Sequence, residues 1–375
     1  MFKKIKLLFS AIRRDLSKKI TNISFFEKRK RKIENSFISF FYTSISSLFI
    51  IVFFFSSPFL VDSYKFFFHE NEEINNNSKI NFEKTLSGQT IEEDGSANNS
   101  PEIFEDIFEF ESLSSDVVRL NALTIEQLFK DTNYNLDEVR KSKLVKPINL
   151  SLLPNEMKMI ESTKEKKNLF IQIVLPLILE ENNQIKFDRK KLFAILNRNN
   201  NSSSEKKWLS MKFKQYGVKN RDLLTLKIRM DEIPVSLAIA QAAKETGWGT
   251  SRFALEGNAL FGQWTYTDKG IKPAAADAGT KHKVMMFNVL KSSVRAYARN
   301  LNTHKSYKEM RYVRAIQRDN VGKLMSLELV DYLDKYAETG KEYTVILKKI
   351  IEQNSLTDFD DVKILPNSEA VKNLI

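Results

Sequence analysis

The chain has 375 residues, a net charge of +12, no cysteine and only three histidines. That length holds one or two domains with a full core. The lack of cysteine excludes disulfides, thiol nucleophiles and thiolate metal sites, and the scattered His69, His282 and His304 offer no metal-ligand spacing, so no metal or other cofactor is expected.

Residues 1–34 carry twelve Lys/Arg against Asp15, Glu27 and Glu34, which is +9 of the +12. The charge therefore sits in a basic tail, not on a binding face, and no nucleic-acid partner is expected. Residues 35–61 are 27 positions without a charge, and about 20 apolar residues suffice to cross a bilayer. With Lys28-Arg-Lys-Arg-Lys32 in front, this reads as an uncleaved signal anchor: a single transmembrane helix, N-terminus cytoplasmic, everything after Val61 outside. Residues 62–163 read as an acidic, polar tether with short helices. From His69 to Asp116 thirteen acids face only Lys79 and Lys84, too polar a composition to build a core. Phe104, Ile107, Phe108 and Phe110 form a short sticky element within it. One or two helices follow before Lys146, one of them over Thr124–Phe129 with Thr124 as its cap.

A compact domain is expected over residues 164–356, with residues 357–375 as a tail. Leu169–Leu179 reads as a core helix kinked at Pro176, too short to span a membrane, and Asp188–Asn197 as a second helix. Ser204–Tyr216 is amphipathic, with Trp208, Met211 and Tyr216 on one face, and Arg221–Met230 follows as a helix. After Gly262, Thr265–Thr267 and Lys283–Phe287 read as short strands across a Gly/Pro/Ala-rich loop. Ser292–Asn302, Lys323–Glu338 and Glu342–Gln353 read as helices again.

The stretch that carries chemistry is Pro234-Val-Ser-Leu-Ala-Ile-Ala-Gln-Ala-Ala-Lys-Glu-Thr-Gly-Trp-Gly-Thr-Ser251, followed by Gly257-Asn-Ala-Leu-Phe-Gly262. Pro234 suits a helix start and Gly247 a left-handed stop. Between them lies a run so small and apolar that other helices can surround it. Glu245 then falls in the last turn of a buried helix, where burial and the negative dipole end both raise a carboxyl pKa, as a general acid requires. Asn258 reads as a loop-fixing residue through its side-chain amide.

Glu245-Thr-Gly-Trp-Gly-Thr-Ser251 with Gly257-Asn-Ala-Leu-Phe-Gly262 resembles the signature of bacterial peptidoglycan β-N-acetylglucosaminidases of glycoside hydrolase family 73. The wider pattern is similar to their Bax-type branch: Leu175-Pro-Leu-Ile, Ile233-Pro-Val-Ser-Leu-Ala, Gly249-Thr-Ser-Arg-Phe-Ala254, Leu260-Phe-Gly-Gln-Trp264, Ser293-Val-Arg-Ala-Tyr297 and Leu301-Asn-Thr-His304. The likeness covers residues 164–356. It implies a mainly α, lysozyme-like fold with a small β lobe and a glycan groove between them. It places the family's catalytic glutamate on Glu245 and a site tyrosine on Tyr336. It also implies a second acid on the β lobe, for which Asp277 is the candidate and Asp268 a weaker one; otherwise the substrate's own N-acetyl group assists. Trp248, Phe261, Trp264, Tyr266 and Tyr307 are candidates for packing on sugar faces, with Trp264 and Tyr307 expected to be the exposed ones. The reading is a membrane-anchored hydrolase of peptidoglycan strands, its domain on the outer side of the bacterial cytoplasmic membrane. A lytic transglycosylase and a non-catalytic wall-binding protein are the alternatives.

Overall fold

A long helix and a short buried one crossing it set the architecture. The computed structural model describes residues 101–112, 117–198, 200–265, 270–272 and 283–366. The basic tail, the expected anchor over residues 35–61, and Tyr266, Asp268 and Asp277 lie outside them. Among the described residues no helix is long and apolar enough to cross a membrane.

The helical elements, in chain order, begin with α1 (Glu105–Ser112), α2 (Ala122–Asp131) and α3 (Leu136–Ser142). Next come α4 (Thr163–Leu196), α5 (Ser203–Gln215), α6 (Leu223–Arg229), α7 (Val235–Thr246) and α8 (Arg252–Gly257). After a three-stranded lobe follow α9 (Leu290–Thr303), α10 (Lys308–Val321), α11 (Ser326–Leu329) and α12 (Lys341–Gln353). The expected mainly helical fold with a small β excursion is therefore what forms.

Helix α4 corrects the expectation of two helices. It runs 34 residues from its Ser162 cap straight through Pro176. Proline cannot donate to the carbonyl four residues back, and that orphan is satisfied from outside: the Tyr134 hydroxyl donates to Gln172 O at 3.0 Å, while Gln172 Nε2 returns a bond to Tyr134 O at 2.7 Å. The polar stretch that reads as a break is held by partners instead. Glu180 pairs with Lys291 and Glu181 with Arg295, and Asn182 bonds both the N–H and the C=O of Ile233.

Helix α7 is the buried one. Every position from Val235 to Ala243 is buried, against α4, α11, α12 and the 3₁₀ turn Leu356–Phe359. Pro234 offers no side-chain cap. A distant residue supplies it: Asp360 accepts from Ser236 N and Ser236 Oγ, both at 2.8 Å. Gly247 ends the helix in the left-handed conformation, as expected.

Packing extends before the expected boundary near Lys164 and past residue 357, as far as the described residues reach. Ile125, Phe129, Tyr134, Val145, Leu153 and Met157 are buried in the same core as α4 and α7. Strand β1 (Leu144–Val145) pairs in parallel with β5 (Lys363–Ile364), and Phe359 is fully buried. Further upstream, Ile107 is buried with Met285, Phe287 and Ala296, and Arg299 ties Ile103 O and Asp106 to the body. Polar composition hid these segments because their buried apolar residues are interspersed with polar ones and with exposed ones such as Val118, Leu123 and Met159. The sticky element read at Phe104, Ile107 and Phe108 is the first of them.

Two helix assignments also change. Asn121, not Thr124, caps α2, accepting from Thr124 N at 2.8 Å. The expected helix over Lys323–Glu338 is only the four-residue α11 and a 3₁₀ turn at Val330–Leu333. The real helix lies earlier, in α10, whose inward face is arginine: Arg311 donates to Leu301 O and His304 O, and Arg314 to Ile228 O and Glu232 O. On α5, Tyr216 and Trp208 face inward but Met211 is exposed.

The lobe after α8 has strand order β2 (Trp264–Thr265), β4 (Lys283–Met285), β3 (Gly270–Ile271), antiparallel throughout. It is attached by Asn258, whose amide donates to Phe287 O at 2.8 Å. That fulfils the loop-fixing role read from the sequence.

Candidate active site

Glu245 sits on the last turn of α7, half-buried, beneath the glycine turn that follows α8. The contact is direct. Gly262 has φ +61°, and a Cβ placed there would lie 3.0 Å from Glu245 Oε2. Only glycine brings the backbone this close without crowding the carboxylate. On the other side, Gly249 (φ +82°) packs so tightly that a Cβ would come within 2.9 Å of Phe170. The two turns flanking Glu245 are thus held against α4 and against the carboxyl itself.

Four tyrosines build the wall behind Glu245. Tyr336 donates to Phe261 O at 2.8 Å, anchoring the residue before Gly262. Its ring stacks on Tyr343 at 5.5 Å and 7° and lies 5.9 Å from Tyr307. Tyr297 stacks on Phe261 at 3.8 Å. Hydrogen-bond directions here are fixed by chemistry. The Tyr297 hydroxyl donates to Gln241 Oε1 at 2.7 Å, so the Gln241 amide must present its NH₂ to Tyr343, which it does at 3.1 Å. The Tyr343 oxygen thereby accepts from Gln241, which leaves the hydroxyl to act as a donor, and its effect on Glu245 is to favour the charged carboxylate.

The electrostatics follow from this packing. Burial raises the Glu245 pKa above the ordinary carboxyl range, against the opposing pull of the Tyr343 hydroxyl and the Lys244 charge. Burial also raises Tyr297, Tyr307, Tyr336 and Tyr343, so all four act as neutral hydrogen-bonding groups at physiological pH. A protonatable carboxyl in a wall of neutral donors, with a glycine backbone over it, can deliver a proton to a bound oxygen atom.

The expected site residues divide. Glu245, Trp248, Phe261, Tyr307 and Tyr336 are brought together. Trp264 is half exposed on β2, as read from its polar neighbours. Tyr307 is a correction: it is buried between His304 and Tyr336 and offers no ring face to a sugar. Phe261 is likewise buried, its face covered by Tyr297. Trp248 is half-buried with φ +60°, edge-on to Phe170 and under the Lys167 ammonium at 4.9 Å. Gln241 and Tyr343 escaped the sequence reading. The available signal was Gln241 itself, the lone amide in an apolar run and one helical turn before Glu245. Among the described residues no group of three His, Asp or Glu side chains is placed to hold a metal.

Residues 225–356 match the glucosaminidase family, described as mannosyl-glycoprotein endo-beta-N-acetylglucosaminidase. Protein bax of Escherichia coli (strain K12) is 34% identical over 211 residues, 54% of this chain and 75% of that protein. The catalytic domain of the autolysin Auto from Listeria monocytogenes is similar at 20% identity, covering 47% of this chain and 97% of that one, with a TM-score of 0.27.

Proposed function

The chain belongs to the Bax-type glucosaminidase-domain proteins and is a glycoside hydrolase of the endo-β-N-acetylglucosaminidase kind; from that premise we propose that it cleaves the β-1,4 bond after N-acetylglucosamine in peptidoglycan, with Glu245 as general acid. The observation that carries this is the Glu245 carboxyl, raised by burial, supported by Tyr343 and overlain by Gly262. The carboxyl gives its proton to the departing glycosidic oxygen as the C–O bond breaks, and water supplies the hydroxyl at the sugar carbon. Asp277 is the proposed second carboxylate. Tyr336 holds the Phe261 carbonyl and with it the glycine roof, and the exposed Trp264 offers a ring face to the glycan. Tyr266 is proposed beside it. The chain is proposed to be anchored by residues 35–61, with this domain on the outer side of the bacterial cytoplasmic membrane and a mainly α, lysozyme-like fold.

The test is digestion of purified peptidoglycan, followed by borohydride reduction and mass spectrometry of the new ends. Reduced N-acetylglucosamine ends are expected from the wild type, with loss of about three orders of magnitude in Glu245→Gln and a comparable loss in Asp277→Asn. Anhydro-muramic ends, or undiminished turnover by Glu245→Gln, would overturn the reading.

A further inference from the structure

Away from Glu245, a cleft of about 610 Å³ opens between α3, the first turns of α4 and the end of α12. Lys164, Lys167 and Asn168 come from one face of α4, and Gln353 and Asn354 from the end of α12. The lining carries Lys164, Lys167 and Arg140 against the single acid Asp137; Arg140, whose guanidinium lies over Phe359, pairs with Asp137 and with the neighbouring Asp358. The two lysines are not neutralised. Among the described residues neither ammonium has a carboxylate partner; Lys167 Nζ donates only to the neutral Asn354 Oδ1, at 3.0 Å. The side-chain amides of Asn168 and Gln353 make no hydrogen bond within the described residues. The cleft thus presents two uncompensated cations and a set of unused amide groups, the complement of a peptide that carries carboxylates.

Its position fits the same ligand. Lys167 lies over Trp248, three residues after Glu245, so the cleft begins where the active-site turn ends. Helix α12 measures the separation. Tyr343, near its start, accepts from Gln241 one helical turn before Glu245, and Gln353, its last residue, lines the cleft; that span rises about 15 Å at 1.5 Å per residue. An extended peptide of four or five residues covers roughly the same distance.

We infer that this cleft binds the acidic peptide stem borne by the sugar next to the scissile bond, through the ammonium groups of Lys164 and Lys167 and the amides of Asn168 and Gln353. The inference rests on the glycan-cleaving reading for its substrate, but its test does not require catalysis. The full chain carrying Glu245→Gln is titrated with an N-acetyl-L-Ala–γ-D-Glu–Lys–D-Ala tetrapeptide, whose blocked amine leaves a net negative charge, with the same peptide amidated at its carboxyls, with inorganic phosphate and with a peptide-free N-acetylglucosamine tetramer. Binding of the acidic peptide is expected, weakened about tenfold by amidation or by adding Lys164→Glu, the loss of one charge-assisted contact. Binding of the sugar tetramer should be the same with and without Lys164→Glu. Equal binding of the acidic and amidated peptides, indifference to Lys164→Glu, or phosphate displacing the peptide at comparable concentration would each overturn the inference. On the active chain, Lys164→Glu should raise KM for peptide-bearing strands towards that for peptide-stripped strands, leaving kcat unchanged. A KM that stays put overturns it too, whereas an active chain that releases no glucosamine ends defeats the glycan reading instead.

Discussion

Burial raises the Glu245 pKa, and the Tyr343 hydroxyl opposes that rise more strongly than the Lys244 charge does. Gln241, whose amide oxygen accepts from Tyr297, donates to the Tyr343 oxygen, so the Tyr343 hydroxyl acts as a donor and favours the carboxylate. Phenylalanine at 343 would remove the bond that favours the charged form, so the Glu245 pKa should climb further from its already raised position. The expected outcome is a basic limb of the pH–kcat/KM profile displaced to higher pH, with about 1 kcal/mol lost from stability because the Gln241 NH₂ group is left without its acceptor. A pH profile that superimposes on the wild type would remove Tyr343 from this role. The same raised carboxyl makes a prediction about folding. The native state holds its proton to higher pH than the unfolded chain does, so folding stability falls as pH rises from the unfolded carboxyl pKa of about 4.3 through the higher native one. Glu245→Gln removes that loss. The variant should therefore melt above the wild type at neutral pH, and the gap should close near pH 4. An unchanged Tm at both pH values would mean that the carboxyl carries no burial cost.

At the scale of the element, α7 works because its start is tied down as firmly as its end. Its first residues follow a proline without a capping side chain, and Asp360, brought back across the domain, accepts from both the N–H and the hydroxyl of Ser236 and from the hydroxyl of Ser326. Burial raises the Asp360 pKa while those donors pull against it. Replacing Asp360 by alanine leaves two donors at the start of α7 and the Ser326 hydroxyl without this acceptor and should cost about 1–3 kcal/mol in urea unfolding. A change within error would assign the cap to some other group. Elements of this kind also show what could be read from the chain. The α7 sequence announces itself: small apolar residues, a proline before them, a glycine after them and one carboxyl in the last turn. Helix α10 does not, because its inward face is made of Arg311 and Arg314 stopping the carbonyl ends of α9 and α6, and hydrophobic periodicity is blind to a helix that buries guanidinium groups. Helix α4 reads as two because Glu180, Glu181 and Asn182 look like a break until Lys291, Arg295 and Ile233 are found opposite them. Asp360 and Tyr343 were illegible for a related reason: their meaning comes from partners 124 and 102 residues away.

For the molecule as a whole, the segment before α4 belongs to the folded unit that holds the site. Leu153 and Met157 lie fully buried against the turn after Glu245, where a Cβ at Gly249 would meet them at 3.3 and 3.2 Å, beside Phe170. Ile125, Phe129 and Val145 complete the same layer, and among the described residues β1 carries the only pairing of β5, the strand just after Asp360. Full burial of an aliphatic or aromatic side chain is worth about 1.5–3 kcal/mol. Five such side chains therefore represent on the order of 10 kcal/mol, comparable to the net stability of a typical domain. A chain starting at residue 164 keeps every predicted catalytic residue yet exposes Phe170, loosens the turn carrying Trp248 and removes the partner of β5. It should fail to unfold cooperatively, whereas a chain starting at residue 101 should show a single sharp thermal transition. The comparison is made by circular dichroism on the two purified fragments. A cooperative melt from the shorter one would show that residues 164–366 suffice for the core and that the preceding segment is only a covering.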